Sequence, residues 1–435
     1  MRIVSAFICV ALEAFLVGCT DQAEAPAHHS ATPIVQVTPP AGMKWRALTN
    51  RTFAPNEKRR ARGQYLTEGL LQCFVCHSER DWSLPGAPPM IGRKGAGLVW
   101  RDDGKTRLVA PNLTPDRKTG AGTWTDDMFA RAIREGVGHD GRLLHPAMPY
   151  HSFSRLSDED LASVVVYLRT LPPVRNPLPQ TVQSAEELRR NSDGPHPILA
   201  AVPEPDLSIL IARGRYLAGL ADCAGCHTDW EAPRMAGLYG GGNLVARGTH
   251  SAFSSNLTPD RSGVDYDADG FIVVIRTGKG GTLNSVMPWT VFRNLDDTDL
   301  RAIHAFLQTL HPVRHFVSNL VPATYCEVCG QKHGLGEMNH IERPKSVAVD
   351  PRLFDALVGT YRNDEFHWTL RITRDDNRLM AQDNDRPAAV LFPLSKTRFV
   401  LDGGVAPLRF ELGPDGRAAR IVSEEGDEVA LQRMP

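Results

Sequence analysis

The clearest hydrophobic pattern in the chain is helical and occurs twice. In the phrase "LSDEDLASVVVYLRTLPPV", the apolar residues at helical spacing are Leu161, Val164, Val165 and Leu168. Ser157 can cap this helix, with Asp160 three residues further on, and Pro172 ends it. In "LDDTDLRAIHAFLQTLHPV", Asp296 is the corresponding cap and Pro312 the stop. The apolar face of this second helix consists of Leu300, Ile303, Leu307 and Leu310.

Beyond residue 350 the period of the pattern changes to two. Segments such as "HWTLRITR", "TRFVLDG" and "PLRFELG" alternate apolar and polar residues, and turn-forming "RDDN", "DGG" and "GPDG" separate them. This texture is typical of a β-meander. The segments resemble the small lipocalin-like β domain that follows some penicillin-binding-type hydrolases. Because the S-x-x-K nucleophile motif of those enzymes is absent, the resemblance implies a fold only.

The two helical phrases belong to a longer internal repeat. "RGQYL" returns as "RGRYL", "NLTPD" occurs twice, and "MPY" at Met148 is matched by "MPW" at Met287. Repetition of this kind indicates two homologous domains. We also expect a short helix around Tyr65 and another around Tyr216, with both tyrosines packed in the core.

Each copy opens with a Cys-x-x-Cys-His motif. The motif residues are Cys73, Cys76 and His77 in the first copy and Cys223, Cys226 and His227 in the second. This motif is the attachment signature of c-type haem. With 8 Cys and 15 His in the chain, composition alone gives about 0.005 matches per chain. A thioredoxin-like pair would need a βαβ context, and zinc would need further ligands at workable spacing. We therefore expect two covalently bound haem c groups.

A methionine in each copy is the expected second axial ligand. Met148 and Met287 occupy the same place in the repeat, each before a proline and ahead of the closing helix. Ligation by Met and His suits electron transfer, whereas an open position suits catalysis. Met90 and Met235 lie nearer to the haem motifs, too near to reach the far face of a haem.

Three histidines leave an alternative open in the first copy. His139, His145 and His151 flank Met148 and can provide a bis-His site or the acid–base groups of a catalytic haem. The second copy has no histidine near Met287 to match them, so we interpret the three as solvated or hydrogen-bonded loop residues.

A third cysteine pair follows the second copy. Cys326 and Cys329 are followed by Gly330, so the motif supplies no proximal histidine. Three interpretations remain: a local disulfide, a zinc site that also uses His333 and His340, or a degenerate third haem motif.

The repeats resemble the class I cytochrome c domains of the cytochrome subunit of bacterial membrane-bound alcohol, aldehyde and gluconate dehydrogenases. "RGRYLAGLADCAGCHT", "NLTPDRKTGAGTWTDDMFARAIREGVGHDGRLLHPAMPY" and "LSDEDLASVVVYLRTLPPV" carry the resemblance, which covers residues 56–316. It implies that Cys73, Cys76, Cys223 and Cys226 form the thioethers. It also implies the axial pairs His77 with Met148 and His227 with Met287.

The same resemblance implies a periplasmic electron-transfer subunit rather than an enzyme in its own right. Its donor would be a quinoprotein or flavoprotein dehydrogenase, and its acceptor a quinone, an oxidase or a soluble cytochrome. Those subunits usually carry three haems, whereas this chain has two such motifs and a β region in which a partner can dock. The alternative is a dihaem oxidoreductase of the peroxidase or thiosulfate-oxidising type, with one catalytic haem.

These expectations combine into a mainly α fold with two tandem class I cytochrome c domains and a small C-terminal all-β, lipocalin-like meander. The expected segments are a signal peptide (1–19), a flexible tether (20–55), cytochrome domain 1 (56–175), a linker (176–205), cytochrome domain 2 (206–316), a connector with the Cys pair (317–349) and the β domain (350–435).

The N-terminus reads as a processing segment. Arg2 precedes a short apolar run that is too short to span a bilayer, and "LVGC" ending at Cys19 resembles the lipobox of bacterial lipoproteins. We expect lipidation of Cys19 and a location on the periplasmic side of a bacterial membrane; the alternative is an ordinary cleaved signal. The balance of 49 basic and 50 acidic residues gives no electrostatic case for binding nucleic acid.

Overall fold

The fold is described from a computed structural model. It describes residues 46–434 apart from 85, 191–196, 231–235, 247–250, 280–285, 341–344, 365–367, 384–387, 402–406 and 425–428. The predicted signal peptide and the lipidation site at Cys19 therefore lie outside the described residues.

The first copy of the repeat folds as a set of short helices with one hairpin. In chain order these are α1 (Glu57–Tyr65), α2 (Cys73–Cys76), β1 (Leu98–Asp102), β2 (Arg107–Ala110), α3 (Asp126–Glu135), α4 (Tyr150–Phe153) and α5 (Asp158–Leu168). Helix α1 continues directly into a π-helical turn, Leu66–Leu70. Asn56 begins α1, because its side chain accepts a hydrogen bond of 2.8 Å from the backbone N–H of Arg59.

Helix α5 is the closing helix predicted from the sequence. Ser157 is its N-cap, and the hydroxyl accepts a hydrogen bond of 3.1 Å from the N–H of Asp160. Three acidic residues in the first turn stabilise the helix, because they lie near the positive end of its dipole. The predicted apolar face is fully buried, and its residues are Leu161, Val164, Val165 and Leu168.

The second copy repeats this frame after a short linker helix. In chain order the elements are α6 (Ala185–Arg190), α7 (Leu210–Leu220), α8 (Cys223–His227), β3 (Leu244–Ala246), β4 (Ala252–Phe253), α9 (Ala268–Thr277), α10 (Trp289–Phe292) and α11 (Asp297–Leu307). Asp296 stands at the predicted N-cap of α11, but its side chain makes no capping hydrogen bond.

A glycine in each copy permits two helices to cross at close range. A Cβ atom on Gly63 of α1 would lie 1.9 Å from the carbonyl oxygen of Ser163 in α5. A Cβ atom on Gly214 of α7 would lie 1.8 Å from the carbonyl oxygen of Ala302 in α11. The glycine of the repeated "RGxYL" phrase is therefore required by packing rather than by a turn.

One continuous apolar core joins the two copies. It contains Leu66, Leu70 and Leu161 from the first copy together with Leu217 and Leu300 from the second. The duplicated helices thus pack against each other as well as within each copy.

The connector after α11 forms a small hairpin, and the C-terminal region forms a closed barrel. The hairpin strands are β5 (Ser318–Tyr325) and β6 (Lys332–Gly334). The barrel strands are β7 (Gly359–Asn363), β8 (Trp368–Asp375), β9 (Arg378–Asp383), β10 (Ala389–Pro393), β11 (Arg398–Leu401), β12 (Pro407–Leu412), β13 (Ala418–Ser423) and β14 (Val429–Arg433). Each barrel strand pairs antiparallel with the next, and β14 closes the ring on β7.

Aromatic side chains fill the inside of this barrel. Phe399 and Phe410 meet edge to face with ring centroids 5.5 Å apart, and Tyr361 meets Phe410 at 6.1 Å. Arg433 donates to the hydroxyl of Tyr361 at 3.1 Å and to the carbonyl of Ala418 at 3.0 Å. Among the strand residues described, the interior is occupied by side chains, as eight-stranded barrels allow.

The prediction of a mainly α protein is wrong. Helix accounts for only 29% of the structure, because the helices of the two copies are short and long loops separate them. The eight-stranded barrel accounts for most of the remaining regular structure and agrees with the predicted C-terminal all-β region. The sequence patterns marked the helices correctly but gave no measure of the loops between them.

None of the helices within the described residues has both the length and the apolar character needed to cross a membrane.

Candidate functional site

Both Cys-x-x-Cys-His motifs form a single helical turn that begins after a left-handed residue. Gln72, with φ of 56°, precedes α2, and Asp222, with φ of 57°, precedes α8. Because neither residue is glycine, this left-handed conformation is uncommon, and it recurs at equivalent positions of the two copies. The reversal of the chain brings the start of each motif back onto the apolar core, where Cys73 and Cys223 pack.

The motif histidines are held in matching orientations. The ring Nδ1 of His77 lies 2.8 Å from the carbonyl oxygen of Pro111, and that of His227 lies 2.7 Å from the carbonyl oxygen of Ser255. A carbonyl can only accept, so Nδ1 carries the proton in both rings and Nε2 keeps a free lone pair. Burial lowers the pKa of both imidazoles, which favours the neutral form that binds metal.

The repeated "NLTPD" loop presents both of these carbonyl groups. Its asparagines, Asn112 and Asn256, are buried and directly follow the carbonyl-bearing residues. The side-chain amide of Asn112 donates to the carbonyl of Val174 at 2.7 Å, and that of Asn256 donates to the carbonyl of Val313 at 2.6 Å. The amide oxygen of each accepts from the backbone N–H of the threonine two residues on. These bonds fix the loop against the segment that follows the closing helix.

The predicted axial methionines occupy equivalent turns. The carbonyl of Met148 accepts from the N–H of Tyr150 at 2.7 Å, and that of Met287 accepts from the N–H of Trp289 at 2.8 Å. Both methionines are partly buried against the shared core that also contacts Cys73 and Cys223.

The competing methionines do not share this environment. Met90 is 44% exposed, which does not suit a ligand enclosed in a haem pocket. Met235 lies outside the described residues.

Each of the three histidines near Met148 has a neighbour of its own. His139 stacks on Trp124 with ring centroids 4.4 Å apart, and the ring of His151 lies 4.3 Å from that of Tyr150. The Nδ1 atom of His145 accepts from the backbone N–H of Ala147 at 3.0 Å. These contacts fit the interpretation of the three residues as loop histidines.

The two haem motifs lie next to each other. The side-chain amide of Gln72, at the start of α2, lies 3.5 Å from the carbonyl oxygen of Ala221, two residues before α8. The hydroxyl of Ser152, on α4, donates to the carboxylate of Asp222 at 2.6 Å. The helix after Met148 therefore contacts the start of the second motif directly.

A tyrosine of the second copy binds the closing helix of the first. The hydroxyl of Tyr216 donates to the carboxylate of Asp160 at 2.8 Å and accepts from the N–H of Ser157 at 3.1 Å. Arg62 of the first copy completes the site through two hydrogen bonds to Asp160, of 2.8 and 2.9 Å. Asp160 is a buried carboxylate with partners from both copies.

The reciprocal contact is formed by the first copy. The hydroxyl of Tyr65 donates to the carboxylate of Asp299 at 2.5 Å and accepts from the N–H of Asp296 at 3.0 Å. Arg213 of the second copy pairs with Asp299. The two copies therefore clasp each other through a pseudo-twofold pair of tyrosine contacts, which we call the tyrosine clasp.

The sequence pattern predicted only a core-packing role for these two tyrosines. A signal was present, because the closing helices carry Asp160 and Asp299 at equivalent positions of the repeat, as Tyr65 and Tyr216 are equivalent in "RGxYL". The pattern could not tell which aspartate each tyrosine binds.

The third cysteine pair lies apart from the two haem motifs. Cys326 and Cys329 are buried free thiols at the turn of the β5–β6 hairpin. His333 is buried beside them, whereas the side chain of His340 is 69% exposed and lies 3.7 Å from Glu327.

The geometry at both motifs fits covalently held haem. A helical Cys-x-x-Cys-His turn, a histidine with a carbonyl on Nδ1 and a pKa lowered by burial, and a core-packed methionine from the same copy are all present twice. Such a site defines a c-type cytochrome.

No protein-family model matches the chain. Among curated proteins, a dihaem c-type cytochrome of Cereibacter sphaeroides is 31% identical over 252 residues, which cover 54% of this chain and 81% of that protein. The cytochrome c subunit of gluconate 2-dehydrogenase from Pantoea cypripedii is 29% identical over 277 residues, covering 57% of this chain and 59% of that subunit.

A nicotinate dehydrogenase subunit from Pseudomonas putida is 30% identical over 298 residues, covering 64% of this chain and 22% of that protein. The chain thus spans less than two thirds of the length of both dehydrogenase subunits. By its similarity to the protein from Cereibacter sphaeroides, the chain belongs to the family of c-type cytochromes. It is also similar to the cytochrome subunits of bacterial dehydrogenases.

Proposed function

We propose that this chain is an electron-transfer protein that carries two covalently bound haem c groups and has no catalytic reaction of its own. The observation that carries the proposal is the matched orientation of His77 and His227, each with Nδ1 on a carbonyl and Nε2 free. The names of its relatives, which are cytochromes and cytochrome subunits of dehydrogenases, support the same role.

The residues that would hold the two groups follow from the site. The thioether-forming residues are Cys73 and Cys76 in the first copy and Cys223 and Cys226 in the second. His77 with Met148, and His227 with Met287, would be the axial pairs. When bound, haem c supplies one-electron exchange between its ferric and ferrous states. Closure of both axial positions by side chains would leave no place for a substrate.

The contact between the two motifs supports transfer within one chain. Gln72 and Ala221 are in contact, and Ser152 bonds to Asp222, so the two attachment segments share an interface. The tyrosine clasp holds that interface in one arrangement. An electron accepted at one copy would therefore leave through the other without a large movement of the protein.

The partners and the location form a further part of the proposal. A quinoprotein or flavoprotein dehydrogenase would be the donor, and a quinone, an oxidase or a soluble cytochrome the acceptor. Lipidation at Cys19 would hold the protein on the periplasmic side of a bacterial membrane. We assign the docking role to the outer surface of the barrel, because Phe399, Phe410 and Tyr361 pack together inside it.

The ligand assignment is tested by optical spectroscopy of methionine variants. Met148→Ala and Met287→Ala should each remove about half of the Met–iron absorption at the red edge of the visible spectrum. Met90→Ala, at an exposed methionine, is the matched control and should leave the band unchanged. A high-spin haem in the resting protein would contradict the proposal and favour the dihaem enzyme.

The location and the docking role need separate measurements. Cys19→Ser should abolish incorporation of labelled palmitate and release the protein from membranes. Removal of residues 350–435 should slow reduction by the dehydrogenase while the spectrum of both haems is retained. Unchanged reduction would show that the barrel does not dock the donor.

A further inference from the structure

The third cysteine pair lies in a buried four-residue cluster that the electron-transfer role does not use. Its members are His315, Cys326, Cys329 and His333. Their exposed fractions are 0%, 0%, 4% and 1%, so all four side chains are shielded from water. The potential ligand atoms, two sulfurs and two ring nitrogens, all lie within 4.8 Å of one another.

Hydrogen bonds direct both histidines toward the sulfurs. The Nδ1 atom of His315 lies 2.7 Å from the carbonyl oxygen of Gly240, and that of His333 lies 3.1 Å from the carbonyl oxygen of Gly334. Because carbonyls only accept, Nδ1 carries the proton in each ring and Nε2 is a free donor to metal. These Nε2 atoms lie 3.4 Å from the sulfur of Cys326 and 3.3 Å from that of Cys329, respectively.

These separations match the edges of a zinc tetrahedron. Zn–S bonds of about 2.3 Å and Zn–N bonds of about 2.0 Å at the tetrahedral angle place sulfur and nitrogen about 3.5 Å apart. We propose that His315, Cys326, Cys329 and His333 bind one structural Zn²⁺ ion through two thiolates and two imidazole Nε2 atoms. Binding releases the two thiol protons to solvent.

The arrangement favours a single ion over an iron–sulfur cluster. In a [2Fe–2S] centre with two cysteines and two histidines, the cysteines bind one iron and the histidines bind the other. Here each sulfur is paired with a nitrogen, and all four atoms lie within 4.8 Å of one another. Tetrahedral S₂N₂ coordination of one ion is the preference of zinc.

The surroundings of the cluster are built like those of a structural metal site. Within the hairpin turn, the N–H of Gly330 donates to the carbonyl of Cys326 at 3.0 Å. The side-chain amide of Asn339 donates to the sulfur of Cys326 at 3.4 Å, which would stabilise a thiolate. A Cβ atom on Gly242 would lie 2.6 Å from the ring of His315, so the neighbouring loop closes directly over the site.

The site would fasten the β5–β6 hairpin to the loop behind the second haem motif. The side-chain amide of Gln331 donates to Asp229 at 2.6 Å and to the carbonyl of Gly242 at 2.9 Å. In the same loop, the N–H of Gly241 donates to the carbonyl of His227 at 2.8 Å. A zinc ion here would thus stabilise the segment that follows the second motif histidine.

His315 takes the place that sequence reasoning gave to His340. His315 stands where the first copy has Asn176, so the departure from the repeat was the available signal. The two side chains make equivalent contacts. The amide of Asn176 donates to the carbonyl of Ala96 at 2.9 Å, and the Nδ1 atom of His315 bonds to the carbonyl of Gly240. The second copy therefore keeps this structural hydrogen bond and gains the Nε2 atom of His315 as a metal ligand.

The test is elemental analysis of the full-length, haem-loaded protein, and it does not depend on the proposed function. Mass spectrometry of zinc, copper and iron should give one zinc for every two haem irons. His315→Ala and Cys326→Ala should reduce zinc to near zero, and the exposed His340→Ala is the matched control that should retain it. Copper in place of zinc, or no metal, would overturn the proposal.

A thiol titration separates zinc from the disulfide and from misfolded variants. After denaturation of the wild type with a chelator but no reductant, two more thiols should react than in a Cys326→Ala/Cys329→Ala protein. If the wild type gains these two thiols only after reduction, the pair is a disulfide and the proposal is wrong. The thiol count is made on denatured protein and the zinc content is measured on the wild type. Both measurements therefore remain valid even if a variant fails to fold.

Discussion

Replacement of Tyr216 by phenylalanine tests whether the tyrosine clasp holds the two cytochrome domains together. The change removes only the hydroxyl, which donates to the buried carboxylate of Asp160 and accepts from the N–H of Ser157. A hydrogen bond to a charged group contributes about 1.5–3 kcal/mol, and the N–H of Ser157 also loses its acceptor. Arg62 still pairs with Asp160, so the carboxylate stays compensated. We expect a loss of about 2–3 kcal/mol in the free energy of unfolding.

Urea unfolding of the haem-loaded protein, followed by tryptophan fluorescence at pH 7, measures this loss. In a separate thermal melt, the midpoint temperature should fall by roughly 4–12 °C, at about 2–4 °C per kcal/mol. The unfolding transition should also broaden or split, because the two domains no longer unfold together.

Tyr167→Phe is the matched control for this variant. The hydroxyl of Tyr167 bonds to Glu68 within the first copy, so its removal lowers stability without uncoupling the domains. A single sharp transition in Tyr216→Phe, or a loss below about 0.5 kcal/mol, would refute the reasoning, since it lies within the range of ordinary surface substitutions.

Gly63→Ala should prevent stable packing of α1 on α5, at a cost of about 3 kcal/mol or more, because its Cβ would lie 1.9 Å from the carbonyl oxygen of Ser163. Gly69→Ala is the control, because the nearest atom to its Cβ would be 3.6 Å away. The haem content of each purified protein measures the effect. Asn256→Ala removes the hydrogen bond to the carbonyl of Val313 and loosens the loop that orients His227. The midpoint potential of the second haem alone should therefore rise in a redox titration. Equal shifts at both haems would contradict this. Burial raises the pKa of both clasp tyrosines, so their contribution is complete below about pH 10 and is lost as the pH rises through the raised pKa. The free energy of unfolding should therefore fall above about pH 10, and less steeply in a variant with phenylalanine at both positions; parallel curves for the two proteins would disprove the assignment.

Several features of the site depend on residues that are close in sequence, and these could be predicted. The Cys-x-x-Cys-His turns are local motifs whose chemistry needs adjacent residues. The capping of α5 by Ser157 and its buried apolar face also follow from short-range spacing. The repeat then identified the equivalent methionines, because duplication preserves position even where contacts are unknown.

The amount of helix in the chain was predicted wrongly. Periodicity located the helices, but it carried no information on the loops that must wrap around a large prosthetic group. The hairpin of β1 and β2 was missed for the same reason, since it is short and its burial does not alternate strictly.

Contacts between distant residues were decided only by the tertiary structure. Tyr65 and Asp299 are 234 positions apart, and each side chain alone fits an ordinary core or surface role. His315 likewise joined Cys326, Cys329 and His333 only once the chain had folded behind the second haem motif. The sequence by itself determined where the haem motifs and their repeat lie, because those depend on local order. Which surfaces meet, and which histidine completes the cysteine cluster, depends on packing between segments that the sequence separates.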